Sequence, residues 1–291
     1  MLLVGALSLP CVFAQDAPAL SDTTYWKKAF RANLTVNQAT FSDNWKAGGI
    51  NSIAIGTLLA GRADYLKNKI SFNNEAEFQY GVLNTREQGA RKTADRIFAD
   101  SKLGYRLSDK WNMFASMNFI TQFAPGFRYE RDADNNEVGI RISSFLSPGF
   151  LTFATGFEYK PVDYFFLRLS PFSPRMTFVT DRELFLNEPR NYGVEVGRTV
   201  RYEWLAFQAA ADFDKNLTDN INLKMRYLMF VNYEEFAFDT IDHRFDLILT
   251  AKIAKYFSTN LNLIMLYDKD QDDKVQIGQA LSIGFLYTFS K

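Results

Sequence analysis

Strict alternation of apolar and polar side chains, repeated in segment after segment, constrains this chain more than any other feature. From Leu281 the odd positions carry Leu281, Ile283, Phe285, Tyr287 and Phe289, with Ser282, Gly284, Leu286 and Thr288 between them. A period of two puts every large apolar side chain on one face of a β-strand. The same period runs through Ile70, Phe72, Ala76, Phe78, Tyr80 and Val82, opposed by Ser71, Asn73, Glu75, Glu77 and Gln79. It recurs at about residues 28–37, 50–63, 111–122, 151–159, 165–169, 205–213, 221–233, 245–253 and 261–267, with a further strand ending near Leu107.

The links between these segments alternate between short and long. Short links fall at 64–68, 108–110, 160–163, 215–219 and 256–258; longer ones include 84–95, 123–149, 234–243 and 268–276. Outer-membrane barrels show this asymmetry, with short turns at the periplasmic end and long loops outside. Parity then places residues 170–200, including a short hairpin expected around 176–180, in one external excursion. The expected fold is all-β: a single antiparallel transmembrane β-barrel of outer-membrane type with about 12 strands. Its localisation would be the outer membrane of a Gram-negative cell.

Composition agrees with that expectation. The chain of 291 residues is 47% hydrophobic and 16% aromatic, yet its mean hydropathy is only −0.19. Outside the extreme N-terminus no run approaches the roughly 18 apolar residues of a membrane helix. Apolar residues interleaved with polar ones suit a wall with lipid on one side and a polar lumen on the other. The formal net charge of zero argues against nucleic acid as a partner. Residues 1–14 read as a signal peptide lacking a basic start, 15–27 as a flexible segment and 28–291 as the barrel. Cys11 would leave with the signal, and His243 is the one histidine, so metal and thiol chemistry have few residues to draw on and no cofactor is expected.

Two resemblances add to this. The run 284–289, with Gly284, Tyr287 and Phe289, resembles the C-terminal assembly signal of outer-membrane barrels, which implies handling by the barrel-assembly machinery. The run Asn44-Trp45-Lys-Ala-Gly48-Gly49-Ile-Asn51 resembles a family of Bacteroidota outer-membrane proteins known only as a domain of unknown function. The likeness continues through Tyr80-Gly81, Lys92-Thr-Ala-Asp95, Gly104-Tyr105, Lys110-Trp111, Thr121-Gln122-Phe-Ala-Pro125-Gly126 and Phe145-Leu-Ser-Pro148. It implies an outer-membrane barrel embedded beside lipid and lipopolysaccharide, and carries no catalytic residue with it. Within the motif, Trp45, Gly48 and Gly49 read as a structural bend with an interfacial anchor.

The candidate functional face is the inward one. It holds Arg31, Arg62, Glu75, Glu77, Asp100, Lys102, Arg106, Glu158, Arg168, Asp212, Lys224, Arg226, Asp246 and Lys252. Both signs are present, so these groups either pair across the lumen and close it or line a narrow aqueous path. The acidic runs 268–273 and 132–137 fail the calcium-loop pattern and read as solvated loops, because Asp273 stands where that loop needs Gly. His243 stands near Asp239, Asp242 and Asp246, but the spacing matches neither an omptin-like Asp-x-His motif nor a His-Ser dyad. Two functional classes remain in front: a narrow channel or small-solute transporter, and a non-conducting barrel that docks an envelope partner or surface polymer through its loops. An enzyme centred on His243 stands third.

Overall fold

The computed structural model describes residues 25–42, 50–86, 88–186, 190–254 and 257–290, with backbone alone for 286–290. The motif residues Asn44, Trp45, Gly48 and Gly49 and the expected signal peptide lie outside the described residues.

Eighteen strands are described, twelve of which close into one antiparallel barrel. The chain opens with β1 (Trp26–Ala39), β2 (Ser52–Lys67), β3 (Ile70–Thr85), β4 (Gly89–Arg106) and β5 (Trp111–Thr121). A long connection then forms its own hairpin, β6 (Gly126–Arg131) and β7 (Glu137–Ser143). The wall resumes with β8 (Gly149–Val162) and β9 (Phe165–Phe172), followed by β10 (Arg175–Phe178), the short pair β11 (Arg190–Asn191) and β12 (Val194–Glu195), and β13 (Val200–Glu203). It ends with β14 (Ala206–Asn216), β15 (Ile221–Asn232), β16 (Asp242–Ala254), β17 (Phe257–Asp268) and β18 (Asp272–Ser290). Closure is made by β18 on β1, with Phe30 opposite Phe289 and Ala32 opposite Tyr287. Closing the sheet leaves no unpaired edge at the level of the twelve strands.

The alternation sets the faces. Phe30, Leu34 and Val36 of β1 stand exposed on the outer surface while Asn33 between them is buried inside. Ile53, Ile55 and Leu59 of β2, Phe72 of β3, Met113 and Met117 of β5, and Ile283 and Phe285 of β18 continue the apolar exterior. A one-residue slip anywhere would exchange the two sets, so an apolar exterior and a charged interior together hold the register.

Three boundaries differ from the sequence expectation. Strand β1 begins at Trp26, inside the segment expected to be flexible. The stretch 123–149 is not one loop but carries the β6–β7 hairpin. The piece around Met176 belongs to the wall: β10 pairs with β8 on one side and β13 on the other. Pairing of β9 with β14 (Ser170 opposite Gln208) and of β10 with β13 (Arg175 opposite Glu203) keeps one register across the break. Pro171 and Pro174 cannot donate to a ladder, so one long hairpin is interrupted there without being ended.

Residues 179–186 and 190–199 leave the top of that hairpin as a folded insert. Val179, Leu184 and Val194 are buried in a small apolar core with Phe185 and Tyr192 packed on it. The insert spans the loop end of the barrel. Tyr192 donates its hydroxyl to the Ile142 carbonyl at 2.9 Å on the β5–β8 side, and Arg190 reaches Asp270 in the β17–β18 turn at 3.2 Å. Those two connections lie six strands apart around the wall, on opposite sides of the mouth. The insert is a lid.

Candidate functional site

The lumen beneath the lid holds a cavity of about 950 Å³. Its lining runs from Tyr25, Lys69, Asp109 and Asp163 at the short-turn end up to Ser170, Gln208, Leu228 and Arg244. Phe150, Arg175, Glu203, Phe230 and Asp242, one layer nearer the loops, do not line it.

Within this volume the predicted charges form distinct groups. Glu75 on β3 accepts from Lys224 Nζ at 3.2 Å and from Arg226 Nη2 at 3.2 Å, both on β15. Strands β3 and β15 stand six apart in a ring of twelve, so this pair is a crossbar on the barrel diameter. Arg226 also donates Nε to Asp212 of β14 at 2.7 Å. A second group lies along β4, β8 and β9. Lys102 donates to Glu158, Arg168 donates Nε to Glu158 at 2.9 Å, and Arg168 lies 3.7 Å from Asp100. Lys102 and Glu158 are buried, and Asn112 adds a bond to the other Glu158 oxygen at 3.3 Å. Arg244 holds Asp246 with two 2.8 Å bonds on β16.

Arg31 of β1, which does not line the cavity, donates to Thr250 Oγ1 of β16 at 3.4 Å, and Arg96, which does, donates to Glu77 at 3.4 Å. Arg62 and Arg106 line the cavity at the short-turn end, where Arg62 is paired to Asp64 at 2.6 Å and is largely exposed. Lys252 is exposed beside a β-bulge near the short-turn end and is not among the cavity-lining residues. Gly284 is buried in β18 opposite Thr35, and Tyr287 and Phe289 are placed by the backbone pairing with β1.

Inward-facing phenylalanines were not legible as part of this set. Arg96 and Arg226 lie over the Phe98 ring (4.8 and 5.2 Å), Arg168 over Phe114 and Phe166 (5.6 and 4.5 Å), and Arg175 over Phe230 (3.7 Å). Each ring face offsets part of the desolvation of a guanidinium by roughly 0.5–2 kcal/mol. The available signal was parity: Arg96 and Phe98, and Phe166 and Arg168, are two apart and share a face.

The layer under the lid is ionic as well. Arg175 binds Glu203 at 2.6 Å and Asp242 at 2.7 Å. Arg201 pairs with Asp270, and with Glu235 at 2.6 Å. Gly193 has φ +76°, and a Cβ there would collide with Arg201 and sit 3.0 Å from Asp270 Oδ2, so glycine allows the lid to close on that pair. Burial holds the Tyr192 hydroxyl at about 12, with Asp268 adding to the shift. The run 268–273 is therefore no free loop: Asp268 is buried and accepts from the Asp270 N–H at 2.9 Å and from Gln271 Nε2 at 2.6 Å. Asp132 accepts from the N–H groups of Asp134 and Asn136 and shapes the tip of the β6–β7 hairpin. Among the described residues no group of three His, Cys, Asp or Glu is placed to hold a metal ion.

His243 faces outward on β16. Its Nδ1 lies 2.7 Å from the Tyr227 hydroxyl and its ring packs between Tyr227 and Tyr267. Strand alternation turns Asp242 and Asp246 to the opposite face, which separates the histidine from the acids beside it in sequence.

Three of the motifs carried by the family resemblance, Lys92–Asp95, Thr121–Gly126 and Phe145–Pro148, converge on one node at the loop end. Lys92 Nζ binds Asp95 (2.8 Å), Gln122 Oε1 (2.9 Å) and the Ala124 carbonyl (2.7 Å), while Asp95 accepts from the N–H groups of Phe123 and Ala124. Thr121 donates to the Pro148 carbonyl at 2.9 Å, and Ser147 Oγ accepts from the N–H groups of Thr180 and Asp181, also at 2.9 Å. The node thus supports the turn on which the lid is rooted. Residues 36–127 match the family model described as protein of unknown function (DUF3078). The DUF3078 match covers Lys92, Asp95 and Thr121–Gly126, and the later Phe145–Pro148 motif lies beyond it. No curated protein matches the chain.

Among solved structures, similarity extends to the COG4313 outer membrane channel from Pseudomonas putida F1 (11% identity, 96% of this chain and 100% of that one, TM-score 0.41). It also extends to the translocator domain of autotransporter NalP from Neisseria meningitidis (11% identity, 92% and 90%, TM-score 0.36). A third is the P. putida toluene transporter TodX (11% identity, 94% and 90%, TM-score 0.29).

Proposed function

We propose that this protein is an outer-membrane barrel of a Gram-negative cell that passes small solutes along a narrow, mixed-charge lumen, with the 179–199 lid as its gate. Residues 1–14 act as its export signal, the short turns face the periplasm, and the barrel-assembly machinery inserts it beside lipopolysaccharide. The observation that carries the reading is the 950 Å³ cavity, which is lined by both charge signs and stops under the lid. A purely structural barrel needs no such volume, because inward side chains alone can fill a small barrel. The crossbar from Glu75 to Lys224 and Arg226 narrows the path, and the Arg175–Glu203–Asp242 layer closes its outer end.

Planar-bilayer recording of the purified, folded protein tests this. Discrete openings are expected, with conductance altered by Arg226→Gln and Glu77→Gln and open time raised when residues 182–198 are replaced by a short Gly-Ser link. A silent bilayer for both the wild type and the lid-replaced form, with no solute uptake in liposomes, overturns the reading. The second reading is a non-conducting barrel that docks an envelope partner, and the packed core of the lid favours it. Co-purification of a stoichiometric envelope protein, lost on lid replacement, would identify it.

A further inference from the structure

The lumen cations are not equally satisfied. Lys224, Arg226 and Arg244 each have a carboxylate oxygen within 3.2 Å. Arg96 has one hydrogen bond, from Nη1 to Glu77 at a long 3.4 Å, and its buried Nε has no partner. Arg31, which feels the charges of Glu77 and Asp214, has a single long bond to Thr250 and a buried Nε without a partner. Arg96 thus hydrogen-bonds a carboxylate only at that long 3.4 Å and Arg31 hydrogen-bonds none, while the neighbouring groups pair closely among themselves. Arg244 and Arg226 add positive potential at Arg96, and Glu77 and Asp246 oppose it. Arg96 lines the cavity, its side chain is 18% exposed, and the Phe98 ring beneath it fixes the guanidinium plane. A planar fork of donors that is fixed, desolvated and short of acceptors is the arrangement that binds a carboxylate or phosphate oxygen pair.

We infer that the lumen holds a small-anion site centred on Arg96, suited to an oxyanion or a small carboxylate entering from the short-turn end. The site defines the solute class of the path proposed above and rests on that reading for its purpose, but not for its binding. Glu77 occupies part of it as an internal competitor, and Arg244 and Arg226 supply its field. Because the cavity already reaches Arg96 from the short-turn end, occupancy requires no movement of the lid.

The test is calorimetric titration of the detergent-folded full chain with inorganic phosphate at constant ionic strength. Saturable binding is expected. It should weaken by about tenfold or more in Arg96→Gln, since a hydrogen bond to a charged group is lost. It should tighten in Glu77→Gln and stay unchanged in Arg128→Gln, a residue of the outer hairpin. Absence of saturable phosphate binding by the wild type overturns the proposal, and so does an unchanged affinity in Arg96→Gln. Where Arg96→Gln gives no heat-modifiable folded band, Arg96→Lys decides, because it keeps the charge and removes the fork. Weaker binding then supports the site, and wild-type affinity overturns it. Phosphate binding together with silent bilayers would retain the site and reject permeation. Conductance without phosphate binding would do the reverse.

Discussion

Glu75→Gln tests whether the interior is held by ions that reach across it. In the wild type the Glu75 carboxylate accepts from Lys224 and Arg226 on the opposite wall, both at 3.2 Å. The amide cannot neutralise them, so Lys224 loses its charged partner and Arg226 retains only Asp212. Removing one member of a buried pair costs about 3–5 kcal/mol. Here the side chains of Glu75, Lys224 and Arg226 are 26%, 26% and 27% exposed, so water in the cavity screens part of the loss. The discounted expectation is about 2–3 kcal/mol, or roughly a 30- to 140-fold fall in the folded-to-unfolded ratio. The assay is urea unfolding in lipid vesicles, followed by tryptophan fluorescence and by the heat-modifiable band. A double-mutant cycle with Lys224→Gln should show coupling of about 1 kcal/mol or more. A loss under about 0.5 kcal/mol with no coupling would show that the two walls are independent and that the crossbar holds nothing.

Two further outcomes are expected. Leu263→Arg, at an outward position near the middle of β17, should cost about 2–4 kcal/mol in lipid, whereas Phe257→Arg at the strand's short-turn end should cost about 0–1 kcal/mol; equal costs in vesicle unfolding would refute the depth assignment. Asp181, at the root of the lid, is pushed up by burial but held below the ordinary carboxylate range by hydrogen bonds from Ser144, the Glu183 N–H and Arg141. A depressed carboxyl stabilises above its unfolded value near 4 and loses that contribution as pH falls through its folded one. Cleavage of the lid by an acid-active protease should therefore accelerate below about pH 4 in the wild type. In Asp181→Asn it should already be fast at pH 5, and identical profiles would refute the anchor.

Sequence alone determined the wall. Period-two alternation needs only local information, because successive side chains of a strand point to opposite faces whatever they pair with. Alternating short and long links then gave the count of about twelve barrel strands, but parity placed the piece around Met176 outside the wall to which β10 belongs. The inward charges were legible for the same reason, but their partners were not. Glu75 and Arg226 are 151 positions apart in the chain and meet only because closure sets β3 opposite β15. The same closure decided which cations are left short of acceptors: nothing in the segment Ala94–Phe98 distinguishes Arg96 from Arg226 until the ring is complete. Tertiary structure also decided the lid. Its core of Val179, Leu184 and Val194 has no repeating period, and its anchors Ile142 and Asp270 belong to connections on opposite sides of the mouth. A strand announces its faces residue by residue, whereas a plug is defined by the hole it covers, and that hole exists only once the barrel has closed.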